Sequence, residues 1–218
     1  MKGLLLILAL FLYAHPSVAA NYSCQKAAQS QNLVHIQYNY GKLGLDVSRT
    51  ANEISQICQD NAAGCFHKKN AYRNLTVKDT FFQAGSETCI APSVDVFYNF
   101  SGSTIFVTKE YSPCATRAVF RHELQHFMIW KEAKEWFLKD LRYTLNQAVL
   151  KFASSCSGVG RCSTDSETKI RGMVAQVERR WNNIENQNQI MLDEIDHSVT
   201  DEVNYTVCAP YSLKVSSF

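Results

Sequence analysis

His122, Glu123 and His126 have the types and spacing for chemistry, in the run Arg121-His122-Glu123-Leu124-Gln125-His126-Phe127. On a helix, residues i and i+4 lie one above the other on one face. His122 and His126 can therefore present two imidazole nitrogens to a single metal ion. Glu123 sits one residue round from His122, in reach of a water at that ion. Two His ligands with a Glu general base are the parts of metal-assisted hydrolysis, and zinc is the metal expected.

The flanks narrow the reading. Val119, Phe120, Arg121, His122, Glu123, Leu124, Gln125, His126, Phe127 and Met128 fit at every position the longer pattern of the zincin metallopeptidases, which this run resembles. Apart from one free position, taken here by Arg121, that pattern keeps the flanks of the motif uncharged, because a charge packed beside the ligands would lose its hydration. A solvated helix with chance His and Glu contacts is the competing explanation. Phe120, Phe127, Met128 and Trp130 speak against it, since they make the helix apolar almost all round.

Two long helices must position these groups. Ser112-Pro113 supplies an N-cap and a first helical residue, and the spacing predicts a helix from Cys114 to about Phe152. Its apolar stripe continues through Leu138, Leu141, Leu145, Ala148 and Phe152. Thr164-Asp165-Ser166-Glu167 reads as a capping box for a second helix, with Ile170, Met173, Val174, Val177, Trp181, Ile184 and Met191 as core positions. A short connection implies an antiparallel hairpin. From His126 to Ala153 is about 27 residues, or roughly 40 Å of helix. The same distance back from Ser166 reaches about Asp193, where the chain reads Asp193-Glu194-Ile195-Asp196-His197 and then Asp201-Glu202. A catalytic zinc takes three protein ligands. His197 ranks first as the third, because neutral imidazole suits zinc; Glu202, Asp196 and Glu194 follow. Glu132 and Glu135 share a helix with the two histidines and cannot curl back to the ion. Tyr205 is the nearest candidate to steady an oxyanion.

Ahead of the helices, residues 1–20 read as a secretory signal peptide: Met1-Lys2, an apolar Leu4–Leu12, and small residues at Ser17-Val18-Ala19-Ala20. Residues 21–218 are the size of one domain. No later stretch has the roughly 20 apolar residues that span a bilayer, so membrane insertion is not expected. Strands are predicted over Val34–Tyr40, Leu75–Phe82, Ser93–Phe100 and Thr104–Thr108, with Gly41 and Gly44 as breaks and Asn61–Asn70 as a polar loop. Asp46 or Ser48 would cap a short helix through Ile57. His35 and His67 read as partly buried strand residues, not ligands. The fold class is α+β: a small N-terminal antiparallel or mixed sheet packed on the motif helix, which pairs with the second.

The net charge is +2, from 22 Lys and Arg against 20 Asp and Glu, with no basic cluster, which excludes a nucleic-acid partner. All 8 cysteines follow the leader, and an even number in a secreted chain implies disulfides. Their pairing stays open; Cys58 with Cys65 and Cys156 with Cys162 would close small loops.

The layout resembles small secreted bacterial H-E-x-x-H proteins, including a family of unknown function described as zinc-dependent proteases. The leader, the Cys89–Cys114 segment and Arg117–His126 carry that resemblance. It implies a secreted or periplasmic peptidase that acts on a peptide or protein substrate. It also implies that Ile105-Phe106-Val107 is an edge strand to which an extended peptide adds. A catalytically silent, disulfide-stabilised binding or envelope-structural protein is the alternative. The sequons at Asn21, Asn74, Asn99 and Asn204 bear on glycosylation only in a eukaryotic pathway.

Overall fold

The motif helix starts where its sequence predicts. Ser112 accepts the Ala115 N–H on its hydroxyl at 3.3 Å and the Thr116 N–H on its carbonyl at 2.9 Å, and Pro113 is the first helical residue. The computed structural model describes residues 16–58, 64–69, 71–100, 102–156 and 163–206, with side chains described between residues 21 and 195. Its elements are α1 (Pro16–Gln29), β1 (Val34–Asn39), β2 (Leu43–Asp46), α2 (Ala51–Cys58), β3 (Gly64–Lys68), β4 (Tyr72–Ala84), β5 (Glu87–Asn99), β6 (Ser103–Val107), α3 (Pro113–Phe152), β7 (Ser154–Ser155) and α4 (Glu167–Thr206). The chain is α+β. Residues 1–15 of the expected leader lie outside the described residues, and its last five open α1.

Two compact units emerge. The first takes residues up to Gln37, with Arg73–Phe97 and Leu138–Val177. Its strands follow the order β1-β5-β4, and β7 pairs antiparallel with β5. Leu141, Leu145, Ile170 and Val174 are fully buried, as the helical stripes predict. Each such side chain contributes about 1.5–3 kcal/mol. Cys24–Cys89 ties α1 to β5. Helix α4 begins later than the predicted capping box implies. Ser166 is the cap, accepting the Ile170 N–H at 2.8 Å, and the Thr164 hydroxyl is turned to Asp79 and Ser166.

The second unit takes Tyr38–Tyr72, Tyr98–Phe137 and the chain from Glu178 onward. Its sheet order is β2-β6-β3, with β2 parallel and β3 antiparallel to β6. Several expectations are corrected here. Gly44 lies inside β2 and does not end a strand, because β6 pairs with it in parallel, Gly44 opposite Thr104. The segment expected as a loop from Asn61 to Asn70 contains β3. Helix α2 is capped by Thr50, which accepts the Glu53 N–H while Glu53 accepts the Thr50 N–H, a reciprocal box. The Thr50 N–H and hydroxyl, both donating to Glu53 Oε2, hold the Glu53 carboxyl below its ordinary range. Asp46 is occupied instead with Ser48 and Arg49. The expectation that Ile105–Val107 is an open edge does not hold, since β6 is paired on both sides and has no free ladder for a peptide. Met191, expected in the core, is exposed.

β3 lies close on α3. A Cβ on Gly64 would stand 2.3 Å from Val119 Cγ1, so only glycine allows this approach. Phe66 then packs against Phe127 and Trp130. Cys58–Cys65 fastens the end of α2 to β3, as its spacing predicts. Cys114 and Cys156 are also disulfide-bonded; the expected partner of Cys156, Cys162, lies outside the described residues.

Glu185 of α4 joins three elements of this unit. It is 3% exposed and meets Lys68 of β3 at 2.6 Å and Lys134 of α3 at 2.7 Å. Removing a buried carboxylate strands its cation, at about 3–5 kcal/mol. Lys68 is half-exposed and can turn to water; Lys134 cannot, with only 12% of its side chain exposed. Glu185→Ala is therefore expected to lower the unfolding free energy by about 3 kcal/mol in denaturant titration. A loss under about 1 kcal/mol would mean that the triad is solvated and does not stiffen the unit.

Candidate metal centre

Helix α3 supplies His122 and His126, and α4 runs beside it in the opposite direction. Residues 126 and 134 of α3 meet residues 189–193 and 182–185 of α4 in turn. The motif imidazoles face each other with Nε2 atoms 2.9 Å apart. Asp193 completes the group: its Oδ1 is 3.0 Å from His126 Nε2 and 3.6 Å from His122 Nε2. Two nitrogens and a carboxylate oxygen thus enclose a triangle. Zinc holds nitrogen at about 2.0–2.1 Å and oxygen at about 2.0–2.2 Å, which sets tetrahedral donors roughly 3.3 Å apart. The donor set and its spacing fit such an ion, and among the described residues these three form a group able to hold one.

The histidine side chains are 19% and 12% exposed, whereas Asp193 is 48% exposed, so the triangle is sheltered on the helix side and open on the other. Gln189, one turn before Asp193 on α4, meets Nδ1 of His126 through Oε1. Its Nε2 donates to the His126 carbonyl at 3.0 Å.

Glu123 is 7% exposed and receives the Phe66 backbone N–H from β3. Burial raises its carboxyl above the ordinary range, with a further push from Asp193; the two histidines and the Phe66 N–H oppose the rise. A cleft of about 300 Å³ runs between α3 and α4 in this unit, lined by Ile129, Ala133, Trp136, Trp181, Ile184 and Asn188, with Glu132. Ile129 follows His126 by one turn, and Asn188 precedes Gln189.

The structure brings together His122, Glu123 and His126 as the motif predicts. Glu194 is exposed and outside the triangle. The side chains of Asp196, His197, Glu202 and Tyr205 lie outside the described residues. His35 pairs with Asp95 at 3.0 Å, and His67 packs edge-on to Phe106. The residue that sequence ranking passes over is Asp193. The helix-length count ends on it, but a preference for imidazole carries the choice on to His197. Gln189 gives no signal in sequence, because an amide in a polar helix face looks like any solvated residue.

Comparison with known proteins adds no relative: no family model matches this chain, and neither a curated protein nor a solved structure matches it.

Proposed function

We propose that the chain is a secreted or periplasmic zinc-dependent peptidase. The convergence of His122, His126 and Asp193 beside the buried Glu123 carries this reading. The two imidazoles and the Asp193 carboxylate would hold a zinc ion, which would supply a Lewis acid to polarise a carbonyl and lower the pKa of water. Glu123 takes a proton from the attacking water and delivers it to the leaving amine. The Phe66 N–H steadies one side of that carboxyl, and the neighbouring cleft has room for an apolar side chain of a peptide. Disulfides support an oxidising compartment. No described helix is long and apolar enough to cross a membrane.

Metal analysis of the purified chain tests the reading. About one zinc per chain is expected, with hydrolysis of an unstructured protein such as casein that stops on chelation and returns on adding zinc. No zinc at isolation and none on titration would sink it. Zinc uptake with no cleavage of any peptide in a broad library would leave the silent binding protein as the better description.

A further inference from the structure

We propose that Gln189 is a positioning residue for the metal centre, gripping His126 at two points and fixing which ring nitrogen faces Asp193 and His122. The inference rests on the proposed centre and concerns how that centre is prepared before metal arrives.

Donor and acceptor bookkeeping carries it. The His126 backbone carbonyl can only accept, so the group 3.0 Å from it must be the amide NH2 of Gln189. That choice fixes the amide orientation and leaves Oε1 against His126 Nδ1. An amide oxygen can only accept, so Nδ1 must carry the proton. In the neutral ring the remaining nitrogen, Nε2, then bears the lone pair, and Gln189 must hold this tautomer against Asp193, whose Oδ1 3.0 Å away would accept a proton from Nε2. Nε2 is the atom that stands 2.9 Å from His122 Nε2 and 3.0 Å from Asp193 Oδ1. One side chain thus sets both the tautomer and the tilt of the ring. Gln189 and Asp193 are four residues apart on α4, so a single helical face delivers the clamp and the third donor. Metal-bound histidines are commonly held in this way at the other ring nitrogen, and losing the partner weakens metal binding about 10–100-fold.

The test compares the full chain with Gln189→Leu, which keeps bulk but neither hydrogen bond, and Gln189→Glu, which keeps an acceptor for Nδ1–H. Two quantities are read. One is zinc affinity against a competing chelator. The other is the His126 tautomer in metal-free protein at mildly alkaline pH, from the nitrogen chemical shifts of labelled imidazole. The wild type is expected to hold a larger share of the Nδ1–H tautomer than Gln189→Leu, because Asp193 at Nε2 favours the other one. Gln189→Leu should shift toward Nε2–H and bind zinc about 10–100-fold more weakly. Gln189→Glu should restore the tautomer and most of the affinity. A residue that only packed the helices would change the unfolding midpoint in Gln189→Leu and leave the tautomer alone. Equal zinc affinity and equal tautomer in wild type and Gln189→Leu would overturn the positioning role while leaving the metal centre standing. No zinc uptake by the wild type would overturn the centre itself and this role with it.

Discussion

Glu123→Gln is expected to cut peptide hydrolysis by at least about a hundredfold while zinc stoichiometry stays unchanged. A positioned general base contributes about 10²–10⁴ in rate, and glutamine cannot take up a proton. The substitution is close to isosteric. Its amide oxygen can still accept the Phe66 N–H that Glu123 accepts, so the local packing of β3 on α3 should survive. Glu123 also lies outside the converging group of His122, His126 and Asp193, so the ligands are untouched. Turnover by purified protein, measured beside metal content, checks both halves. Identical cleavage in wild type and variant would point to a contaminating protease and remove the case for Glu123 as base. Loss of zinc in the variant would instead make Glu123 a ligand.

The parts of this molecule that were legible in sequence are those with a strong period or a local cap. Helix α3 is readable at both ends because Ser112-Pro113 starts it and its stripe of Leu138, Leu141 and Leu145 runs unbroken to Phe152. The small Cys58–Cys65 loop follows from spacing. What failed depends on partners distant in sequence. β3 is five residues in a polar, glycine-containing run, and it becomes a strand because β6 pairs with it and Gly64 lets it lie on α3. Whether β6 is an edge or a centre depends on β2 and β3 taking opposite sides, which no local pattern encodes. Thr50 and Glu53 do form a sequence-visible box, but the earlier Asp46 and Ser48 offer equally good cap chemistry. The candidate metal centre divides in the same way. His122 and His126 are fixed by an i,i+4 rule inside one helix. Which α4 residue converges on them depends on the phase of that helix to within one residue, and a length count gives the level but not the face; Asp193 does so among the described residues.

Asp193 is where that phase matters most. Asp193→Ala is expected to weaken zinc binding by about a hundredfold or more, beyond the 10–100-fold typical of outer-shell partners, because it removes one of the three converging donors. Asp193→Asn separates charge from shape. It keeps an oxygen near both Nε2 atoms but loses the negative charge that balances a dication, so its affinity should fall between wild type and alanine. His197→Ala is the matched control on the same helix, and it is expected to retain the metal. Competition with a chelator of known affinity ranks all three. Helix content and the unfolding midpoint of each variant show whether any loss is local; the half-exposed Asp193 side chain carries little packing, so both should stay near wild type. Retention by Asp193→Ala with loss by His197→Ala would hand the third position to His197. That result would mean that the 3.0 Å contact of Asp193 with His126 is an ordinary ion pair and that α4 turns a different face to the ion. Loss in neither variant would pass the third position to Glu202, Asp196 or Glu194, and retention in alanine variants of all five would leave only the two motif histidines, fewer protein ligands than a catalytic zinc needs, and take the peptidase proposal down with it.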